Sequence, residues 1–428
     1  MKTHFFQVAI LTLCMNATFS NAQIWQEVGL VQNQSSVNQN IATDGQDVYI
    51  SYLDGQTVDS KVTVRKYNGV SWNLVGAQGL LYGGTFDSEG LEVSSGTPYL
   101  TGLDDQLRAI VLKYNGTDWV QIGLPVSDSS AAHPCIEVEN DTLYVAFYDF
   151  NNDGITVKKF DGSNWNTIGT EGFTFFGTNF VSFAVENGVP YVACQEQLQL
   201  NVLSFDGTNW NYLGGQDISQ AGGSDIHILI ENGTPYVLYA DWQADQMTLL
   251  SYDGSSWLTV GASSMPIIDG IYTGFIFHNG EPYISFRDLN SKISVIRYDG
   301  ANWNFVGSSE FSDGVTSHTS IAFVDDIPYV SYRDGANSSV TTVQKFDFGV
   351  GLDEDEYTPF EIYPNPSSSF IHIKSLESIE SINIFDNRGT VHITSVDSNI
   401  EVTDLVDGIY LLQITTRSGV YTRRFIKQ

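Results

Sequence analysis

The loop Asp149–Gly154 has the spacing most suggestive of a metal ion in this 428-residue chain. Asp149, Asn151 and Asp153 place side-chain oxygens at alternate positions, and a glycine follows them. A loop that wraps Ca²⁺ uses this spacing of oxygen ligands. The glutamate of a full twelve-residue calcium loop is absent, because Phe160 stands in its place. The sequence therefore leaves two interpretations, a calcium site and a plain polar hairpin turn, and calcium is the only cofactor it suggests.

Two histidines and two glutamates offer groups that move protons. His133, His318, Glu92 and Glu137 all fall in segments that the tryptophan repeat of this chain assigns to the innermost strand of a four-stranded unit. Imidazoles act as general acids or bases near neutral pH, and paired carboxylates cleave glycosidic bonds. These residues are consistent with a polysaccharide hydrolase or lyase whose site lies at a channel mouth. The alternative is a polar channel lining filled by water.

Five further residues are candidates for holding a ligand without chemistry. Trp242 is the only tryptophan outside the repeat, and Phe173 and Phe176 lie in a long connecting loop. Asp225 and Tyr272 fall at the same level of the innermost strands as the two histidines. Aromatic rings stack on sugars and anchor proteins, whereas packing within the loop is the alternative use of the aromatic residues.

A repeat of about 46 residues must position all of these side chains. Tryptophans recur 45 to 47 residues apart, and one tyrosine, usually preceded by proline, falls in each unit. The tryptophans are Trp25, Trp72, Trp119, Trp165, Trp210, Trp257 and Trp303, and the tyrosines are Tyr49, Tyr99, Tyr144, Tyr191, Tyr236, Tyr283 and Tyr329. A period of about 40 to 50 residues is typical of β-propellers.

Each unit divides into four short segments of alternating polarity, which is typical of antiparallel strands. In the fourth unit the predicted strands are Phe180–Glu186, Val189–Ala193, Leu200–Phe205 and Trp210–Leu213. Asn-Gly and Asp-Gly steps between them supply the positive φ values that tight hairpins need.

The two ends of the repeat complete each other. Trp25 opens a fourth strand that has no preceding three, and Ser317–Phe346 supplies three strands without a fourth. Pairing them leaves no open edge. We therefore predict an all-β fold in which residues 23–347 form a seven-bladed β-propeller closed by the N-terminal strand.

Every unit also has a carboxylate five residues after its tyrosine. A carboxylate that ends a strand accepts backbone N–H groups of its own turn, and the alternative is a ring that binds cations or sugar hydroxyls. The seven residues are Asp54, Asp104, Asp149, Glu196, Asp241, Asp288 and Asp334.

The net charge excludes one class of partner. Lys and Arg number 19 against 50 Asp and Glu, which gives a formal charge of −31. Nucleic-acid binding needs clustered positive charge, so no nucleic-acid partner is expected. An acidic surface of this kind repels polyanions and attracts divalent cations.

The first 22 residues predict export. Lys2 precedes an apolar stretch, and small residues stand at the −3 and −1 positions before Gln23, as in a cleavable signal peptide. A lipoprotein at Cys14 is the alternative, although Leu13 is large for that site. No other apolar run is long enough for a transmembrane segment. The two remaining cysteines, Cys135 and Cys194, are expected to be buried.

The C-terminal part leaves the repeat. Residues 348–359 include an acidic run and are predicted to be a linker. Residues 360–428 contain the predicted strands Phe370–Lys374, Ser381–Phe385 and Ile409–Thr415. These strands predict a small, separate β-sandwich.

Short motifs follow one another in this C-terminal region, namely Tyr363-Pro364-Asn365-Pro366, Gly389, Gly408 with Tyr410, and Lys427 beside the last residue. In this order they resemble the C-terminal sorting domain of the type IX secretion system of Bacteroidetes. The resemblance implies that the signal peptide exports the chain to the periplasm and that the type IX machinery then carries it across the outer membrane. It also implies that the protein is released or held at the cell surface, commonly after loss of this domain.

The turns of the repeat resemble, loosely, those of known propellers. Phe205–Trp210 and Tyr252–Trp257 are similar to shortened forms of the Asp-box of sialidase-type propellers, and the repeat as a whole is loosely similar to Asp-box and kelch-type propellers. This resemblance implies a propeller and does not extend to sialidase activity, because no arginine triad can be assembled.

Three functions remain open from the sequence. The leading interpretation is a secreted or cell-surface propeller that binds a glycan or a protein and performs no chemistry. The first alternative is the polysaccharide-active hydrolase or lyase, and the second is a structural adhesion component.

Overall fold

The computed structural model describes two compact units, Ile24–Phe346 and a second unit that begins at Asp347. The predicted signal peptide, the acidic linker, Trp242, Phe176 and Gly389 lie outside the described residues. The described residues are 24–428 except 33, 84–89, 176, 220–222, 242, 244–245, 262–264, 266–271, 348–359, 376–377, 387–390 and 418–419.

The first unit is built from four-stranded sheets in which strands that follow one another along the chain lie side by side. Seven such sheets occur in the described part of this unit, and we number them in chain order. After β1 (Ile24–Glu27), sheet 1 contains β2 (Ser36–Thr43), β3 (Val48–Asp54), β4 (Val62–Tyr67) and β5 (Trp72–Leu74), with a short 3₁₀ helix at Val58–Ser60. Sheet 2 contains β6 (Leu91–Ser94), β7 (Thr97–Leu103), β8 (Ala109–Tyr114) and β9 (Trp119–Gln121).

The next sheets have the same order of strands. Sheet 3 contains β10 (Ala131–Glu139), β11 (Thr142–Asp149), β12 (Gly154–Phe160) and β13 (Trp165–Thr167), and sheet 4 contains β14 (Asn179–Glu186), β15 (Val189–Glu196), β16 (Gln199–Phe205) and β17 (Trp210–Tyr212). Sheet 5 contains β18 (Gly223–Glu231), β19 (Thr234–Asp241), β20 (Gln246–Tyr252) and β21 (Trp257–Thr259), and sheet 6 contains β22 (Thr273–His278), β23 (Glu281–Arg287), β24 (Ile293–Tyr298) and β25 (Trp303–Phe305).

Sheet 7 joins the two ends of the unit. It consists of β26 (Thr316–Val324), β27 (Ile327–Asp334) and β28 (Val340–Asp347), and β1 lies beside β28 as the fourth strand. The N–H of Val28, just after β1, donates to the carbonyl of Val343 at 2.9 Å.

The hydrophobic cores lie between sheets rather than within them. One cluster contains Val111 and Phe147, from sheets 2 and 3, and another contains Val295 and Tyr332, from sheets 6 and 7. A further cluster contains Ile50 of sheet 1 and Val343 of sheet 7. The four-stranded sheets are thus arranged like the blades of a propeller, each packed on the next. Cys135 and Cys194 are buried in this packing, as predicted.

Six of the seven repeated tryptophans connect their sheet to the one before it by a hydrogen bond. The indole Nε1 of Trp257 donates to the carbonyl of Leu213, three residues after the preceding tryptophan, at 2.8 Å. The same bond, at 2.6 to 3.2 Å, joins Trp25 to Val306, Trp72 to Val28, Trp119 to Val75, Trp165 to Ile122 and Trp210 to Ile168. Each of these six indole N–H groups is therefore satisfied by the neighbouring sheet, which fixes the distance between the two sheets.

A glycine completes this contact because no side chain fits beneath the indole. Gly214 follows the acceptor Leu213 with φ +77°, and a Cβ there would lie 2.8 Å from Cδ1 of Trp257. Both the backbone conformation and the lack of space therefore require glycine at this position.

Substitution of Gly214, compared with a control glycine, separates the two requirements, which are the left-handed backbone and the lack of space beneath the indole. We expect Gly214→Ala to lower the free energy of unfolding by about 2–4 kcal/mol. Both the left-handed backbone and the clash with the indole raise the free energy of the folded state when a Cβ is present. Gly254→Ala is the matched control, because Gly254 has φ +96° but nothing within 4 Å of a Cβ. It should cost only about 1–2 kcal/mol. Chemical unfolding of the two variants measures the difference, and equal losses would show that the indole contact does not constrain the structure.

The second unit contains two sheets that share one core. A three-stranded sheet is formed by β29 (Phe360–Tyr363), β30 (Phe370–Ser375) and β33 (Asn399–Glu401), and a four-stranded sheet by β31 (Ile379–Phe385), β32 (Val391–Ser395), β34 (Gly408–Thr416) and β35 (Val420–Lys427). Ile371 and Ile400 of the first sheet pack with Ile384 and Leu412 of the second. This is the small β-sandwich that the sequence predicted.

Candidate functional site

A cavity of about 300 Å³ is lined by the first strands of the sheets in the first unit. Six of the seven described sheets contribute first-strand residues to its wall, namely β2, β6, β10, β18, β22 and β26. Its volume falls at the lower end of the range for small-molecule sites, about 300–1,000 Å³. The cavity is therefore large enough for a small ligand or the end of a chain.

Left-handed residues stand at one level of these first strands. Asn38, His133, Asp225 and His318 have φ values of 49° to 51°, and Tyr272, just before β22, has φ 59°. The pairing register of β2, β10, β18 and β26 shifts at the same points, as in β-bulges. A bulge re-aims a side chain, and the left-handed conformation is unfavourable for residues other than glycine. Four of these five left-handed residues, all except His133, belong to the cavity wall.

The cavity brings together five of the residues singled out from the sequence. Glu92, Glu137, Asp225, Tyr272 and His318 all line it. They come from five different sheets.

Other predicted residues are placed elsewhere. His133 has the same left-handed conformation as its counterparts but is not part of the described lining. Phe173 stacks face to face on Trp210, with ring centroids 4.1 Å apart, in the core between sheets 3 and 4. Its ring is therefore used in packing, which was the alternative stated from the sequence.

Asp225 belongs to a buried hydrogen-bonded group that the sequence did not reveal in full. Its Oδ2 accepts from the backbone N–H of Thr273 at 2.9 Å and from the Thr273 hydroxyl at 2.7 Å. The same hydroxyl lies 3.1 Å from Nε2 of His227, and it accepts from that nitrogen because its own proton is donated to Asp225. His227 also lines the cavity, and its spacing of two from Asp225 along one strand was the available signal.

An aromatic group forms another part of the wall. The rings of Tyr272 and His318 are 4.3 Å apart, and the guanidinium of Arg287 lies 5.0 Å from the centre of the Tyr272 ring. Burial lowers the pKa of His318 to about 4, and the positive charge of Arg333 acts in the same direction. His318 is therefore neutral at pH 7. Its Nδ1 lies 3.1 Å from the Ser317 hydroxyl, and its buried Nε2 has no hydrogen-bond partner in the described part of the chain.

Gln39 presents a complete amide at the cavity. Its side chain is 5% exposed, and neither its nitrogen nor its oxygen has a hydrogen-bond partner among the described residues. The buried Oδ1 of the adjacent Asn38 also has no hydrogen-bond partner among the described residues. A buried unpaired polar group costs about 1–3 kcal/mol. The residues of the wall thus include buried donors and acceptors that have no partner among the described residues.

The repeated carboxylates cap their own turns. Asp288 Oδ1, for example, accepts from the backbone N–H of Asn290 at 2.9 Å, which is an Asx turn. Equivalent bonds at 2.9 Å are made by Asp54, Asp104, Asp149, Asp241 and Asp334. Glu196 instead accepts from the N–H of Phe175 and the hydroxyl of Tyr212, and burial raises its pKa. These bonds support the structural interpretation of the ring.

In the segment suggested for calcium, the repeated carboxylate Asp149 also caps its own turn. Asp149 is buried, and its Oδ2 accepts from the side chain of Asn152 at 2.8 Å as well as from Thr156. Asn151 and Asp153 are exposed. Across the described residues no group of three or more His, Cys, Asp or Glu side chains is arranged to hold a metal ion. The turn is complete without an ion, and calcium there stays a prediction.

In the second unit, the sorting motifs from both ends of the region meet. Asn365 donates from Nδ2 to the carbonyl of Arg424 at 3.2 Å and accepts at Oδ1 from the N–H of Ile426 at 2.8 Å. Its amide therefore pairs with the last strand as another strand would. Lys427 is buried and its Nζ lies 3.1 Å from Asp407, the residue before Gly408.

Two of the aromatic motif residues differ in exposure. Tyr410 is buried, stacks on Phe425 and donates to the carbonyl of Val406 at 2.9 Å. Tyr363, the last residue of β29, is half exposed. The spaced motifs are thus contacts of one small sandwich.

Comparison with known families confirms the predicted sorting domain. Residues 361–428 match the family described as "Secretion system C-terminal sorting domain". This match indicates export by the type IX system to the cell surface or into the medium. No described helix is both long enough and apolar enough to cross a membrane. No curated protein matches the chain.

Several solved structures are similar in fold. A fucose-specific lectin from Aleuria aurantia is 14% identical, with a TM-score of 0.43, over 65% of this chain and 98% of the lectin. PorZ, a surface component of the type IX secretion system of Porphyromonas gingivalis, is 10% identical, with a TM-score of 0.40, over 92% and 70% of the two chains. The extracellular domain of BT3049 from B. thetaiotaomicron is 10% identical, with a TM-score of 0.48, over 95% and 57%.

The buried histidine makes stability depend on pH. Because the pKa of His318 is lowered from 6.5 to about 4, the unfolded chain takes up a proton that the folded chain refuses in this interval. The stabilising effect of this histidine is complete above pH 6.5 and is lost as the pH falls towards 4. His318→Asn should therefore lose less of its thermal stability than the unsubstituted protein between pH 7 and pH 4. Parallel pH profiles for the two proteins would contradict the buried, neutral state.

The calcium and turn interpretations of Asp149 predict different results. Under the turn interpretation Asp149→Ala should cost about 1–3 kcal/mol through lost buried hydrogen bonds. Asp153→Asn should then behave as the unsubstituted protein, whether calcium or EDTA is present. A calcium-dependent rise in Tm that Asp153→Asn abolishes would instead establish the calcium site. Thermal unfolding of the three proteins in both buffers makes the comparison.

Proposed function

We propose that residues 23–347 form a closed seven-bladed β-propeller. Sheet 7 combines β1 with β26–β28, and the contact of Ile50 with Val343 packs this sheet on sheet 1. The bond from Trp25 to Val306 then connects the N-terminal strand to sheet 6, as the other tryptophans do elsewhere. Residues 1–22 are proposed as the signal peptide, residues 348–359 as the linker and residues 360–428 as the sorting domain.

The propeller reaches the outside of the cell as the cargo of this export route. Its partner on the way is the type IX machinery, which reads the sorting domain. The mature protein is secreted or held on the outer surface, where extracellular glycans and proteins are the available ligands.

The proposed function of the propeller is to bind the end of a glycan in the central cavity without chemistry. The observation that carries this proposal is the buried, unpaired amide of Gln39 at the cavity wall. Sugar hydroxyls donate and accept at the same time, so a pair of them satisfies both ends of an amide. The ring of Tyr272 adds an aromatic surface of the kind that sugars stack on.

The charge of the wall selects against acidic sugars. Glu92, Glu137 and Asp225 line the cavity, whereas Arg287 lies over the ring of Tyr272 but is not itself part of the described lining, which contains no Lys or Arg. Like charges brought together in a confined site cost free energy. An uncharged sugar is therefore the favoured ligand, and its hydroxyls would donate to these carboxylates.

The alternative is a polysaccharide hydrolase or lyase at the same cavity. Glu92 and Glu137 lie on neighbouring first strands and His318 is a neutral base with an unpaired Nε2. Groups of these types could transfer protons to and from a bound sugar. His133, the fourth candidate, lies outside the described lining.

Replacing the unpaired amide separates binding from stability. Gln39→Leu keeps the approximate size of the side chain and removes both polar atoms. We expect it to weaken the binding of a neutral oligosaccharide at least about tenfold, while Tm stays equal or rises because a buried unpaired amide is removed. Calorimetric titration of the exported protein with neutral, amino and acidic oligosaccharides measures the affinities.

Gln46→Leu is the control, because Gln46 is exposed in the turn between β2 and β3. It should bind as the unsubstituted protein does. Unchanged affinity in Gln39→Leu would contradict the proposed site. Shortened products in the titration mixture would replace the binding function with the enzymatic alternative.

A further inference from the structure

The repeated tyrosine on the second strand of each sheet faces a cation in most sheets. A lysine or arginine of the third strand pairs directly with it in five of the seven described sheets. The pairs are Tyr49 with Lys66, Tyr99 with Lys113, Tyr144 with Lys159, Tyr283 with Arg297 and Tyr329 with Lys345. In most sheets the protein therefore places one of its own cations opposite the repeated tyrosine.

In three of these sheets the ammonium group lies over the tyrosine ring. Nζ of Lys66, Lys113 and Lys159 is 5.0 to 5.4 Å from the centre of the paired ring. This is the distance of a cation–π interaction. All five paired tyrosines are at most 9% exposed.

Sheets 4 and 5 break the pattern. Tyr191 pairs with Ser204, and Tyr236 pairs with Ser251, so no cation covers either ring from the third strand. Both tyrosines are more exposed than their five counterparts. An open groove of about 480 Å³ lies at this point and is lined by Tyr191, Ser204 and Ser251 among others. A short hydroxyl side chain in place of lysine leaves the space above the ring open.

The open position is the one over Tyr191. Tyr236 is already covered, because its ring packs against Phe277 at 4.7 Å. The groove includes Tyr191 but not Tyr236, and its other wall is the turn of Gly233 and Thr234 from sheet 5.

Negative charge surrounds this groove. Glu186 accepts from the N–H of Gly233 at 3.1 Å, and its charge raises the pKa of Tyr191 further after burial has raised it. Asp253 lines the groove and uses Oδ1 for the hydrogen bonds of its own turn.

The second oxygen of Asp253 differs from its counterparts in other sheets. In Asp206 and Asp299 the Oδ2 atom accepts from an asparagine five residues later. Leu258 stands at that position after Asp253 and has no proton to donate. A carboxylate oxygen is therefore left for a ligand at this groove.

We infer that this groove binds the ammonium group of an amino sugar over the ring of Tyr191. The ligand would take the place that Lys66, Lys113 and Lys159 take over their own tyrosines. Its hydroxyls would be held by Ser204, Ser251 and Asp253. This site is separate from the central cavity and does not depend on the function proposed for it.

Restoring the pattern of the other sheets tests this inference. Ser204→Lys places an ammonium group opposite Tyr191, as Lys159 is placed opposite Tyr144. It should reduce the affinity for a glucosamine oligosaccharide at least about tenfold, with Tm unchanged or raised. Tyr191→Leu should weaken it about 3- to 30-fold through loss of the aromatic face.

Matched variants control for the general effect that an added positive charge has on ligand binding by this acidic protein. Ser163→Lys adds the same charge at an exposed turn of sheet 3 and should leave the affinity within about twofold. Lys159→Ser should open a second position over Tyr144 and raise the number of bound glucosamine oligosaccharides. Binding of a neutral sugar in the central cavity should be the same in Ser204→Lys as in the unsubstituted protein.

Calorimetry with a glucosamine oligosaccharide, its N-acetylated form and a lysine peptide completes the test. We expect only the free amino sugar to bind in a manner sensitive to Ser204→Lys. Equal binding of the N-acetylated form would overturn the role of the ammonium group. Equal loss in Ser163→Lys and Ser204→Lys would show non-specific attraction, and binding of the lysine peptide alone would show that the groove recognises protein.

Discussion

The indole hydrogen bond between neighbouring sheets is the interaction on which the rest of the first unit depends. Each sheet has only four short strands and buries its side chains against the next sheet, so it has no core of its own. A bond such as that from Trp257 to Leu213 sets the spacing, and Gly214 lets the indole approach. The same contact recurs in six of the seven described sheets, including the one that the N-terminal Trp25 completes, so one spacing between neighbouring sheets is repeated around the unit. The central cavity results from this repetition.

The cavity and the groove over Tyr191 show two ways in which a repeat acquires a specific surface. At the cavity, equivalent positions keep the same bulged backbone but differ in side chain, from Asn38 to Asp225 to His318. At the groove, most sheets share one pair of residues, and a single change to Ser204 uncovers an aromatic ring. In both places the protein retains unfavourable features, a left-handed backbone or an unpaired polar group, next to open space. Such features are expected at a site where a bound ligand compensates for their unfavourable free energy.

The sequence predicted the strands well and the bulges not at all. Tryptophan spacing and hairpin turns located Leu200–Phe205, and the structure extends that strand by one residue to Gln199. A bulge adds one residue and so reverses the phase of the alternation, and in strands this short the change of phase cannot be distinguished from an ordinary irregularity of the pattern. His227 was missed although its spacing of two from Asp225 was readable, because only the fold brings both side chains to the hydroxyl of Thr273.

The second unit and the pairing of lysines with the repeated tyrosines also show what sequence patterns alone cannot reveal. Short edge strands such as Asn399–Glu401 carry too few residues for a periodic signal. The sequence did reveal the sorting motifs, whereas only the fold shows that Asn365 holds the last strand. The pairing of the repeated tyrosines with lysine was readable from the sequence, but its absence at Ser204 gained meaning only from the open groove.

Hydrogen exchange of the exported protein with and without a neutral oligosaccharide tests most directly the claim that the central cavity is the binding site. The account predicts that the ligand slows exchange in β2, β18, β22 and β26, whose residues line the cavity, and leaves the outer strands β5 and β21 unchanged. Protection confined to the outer strands, or to the second unit, would contradict it.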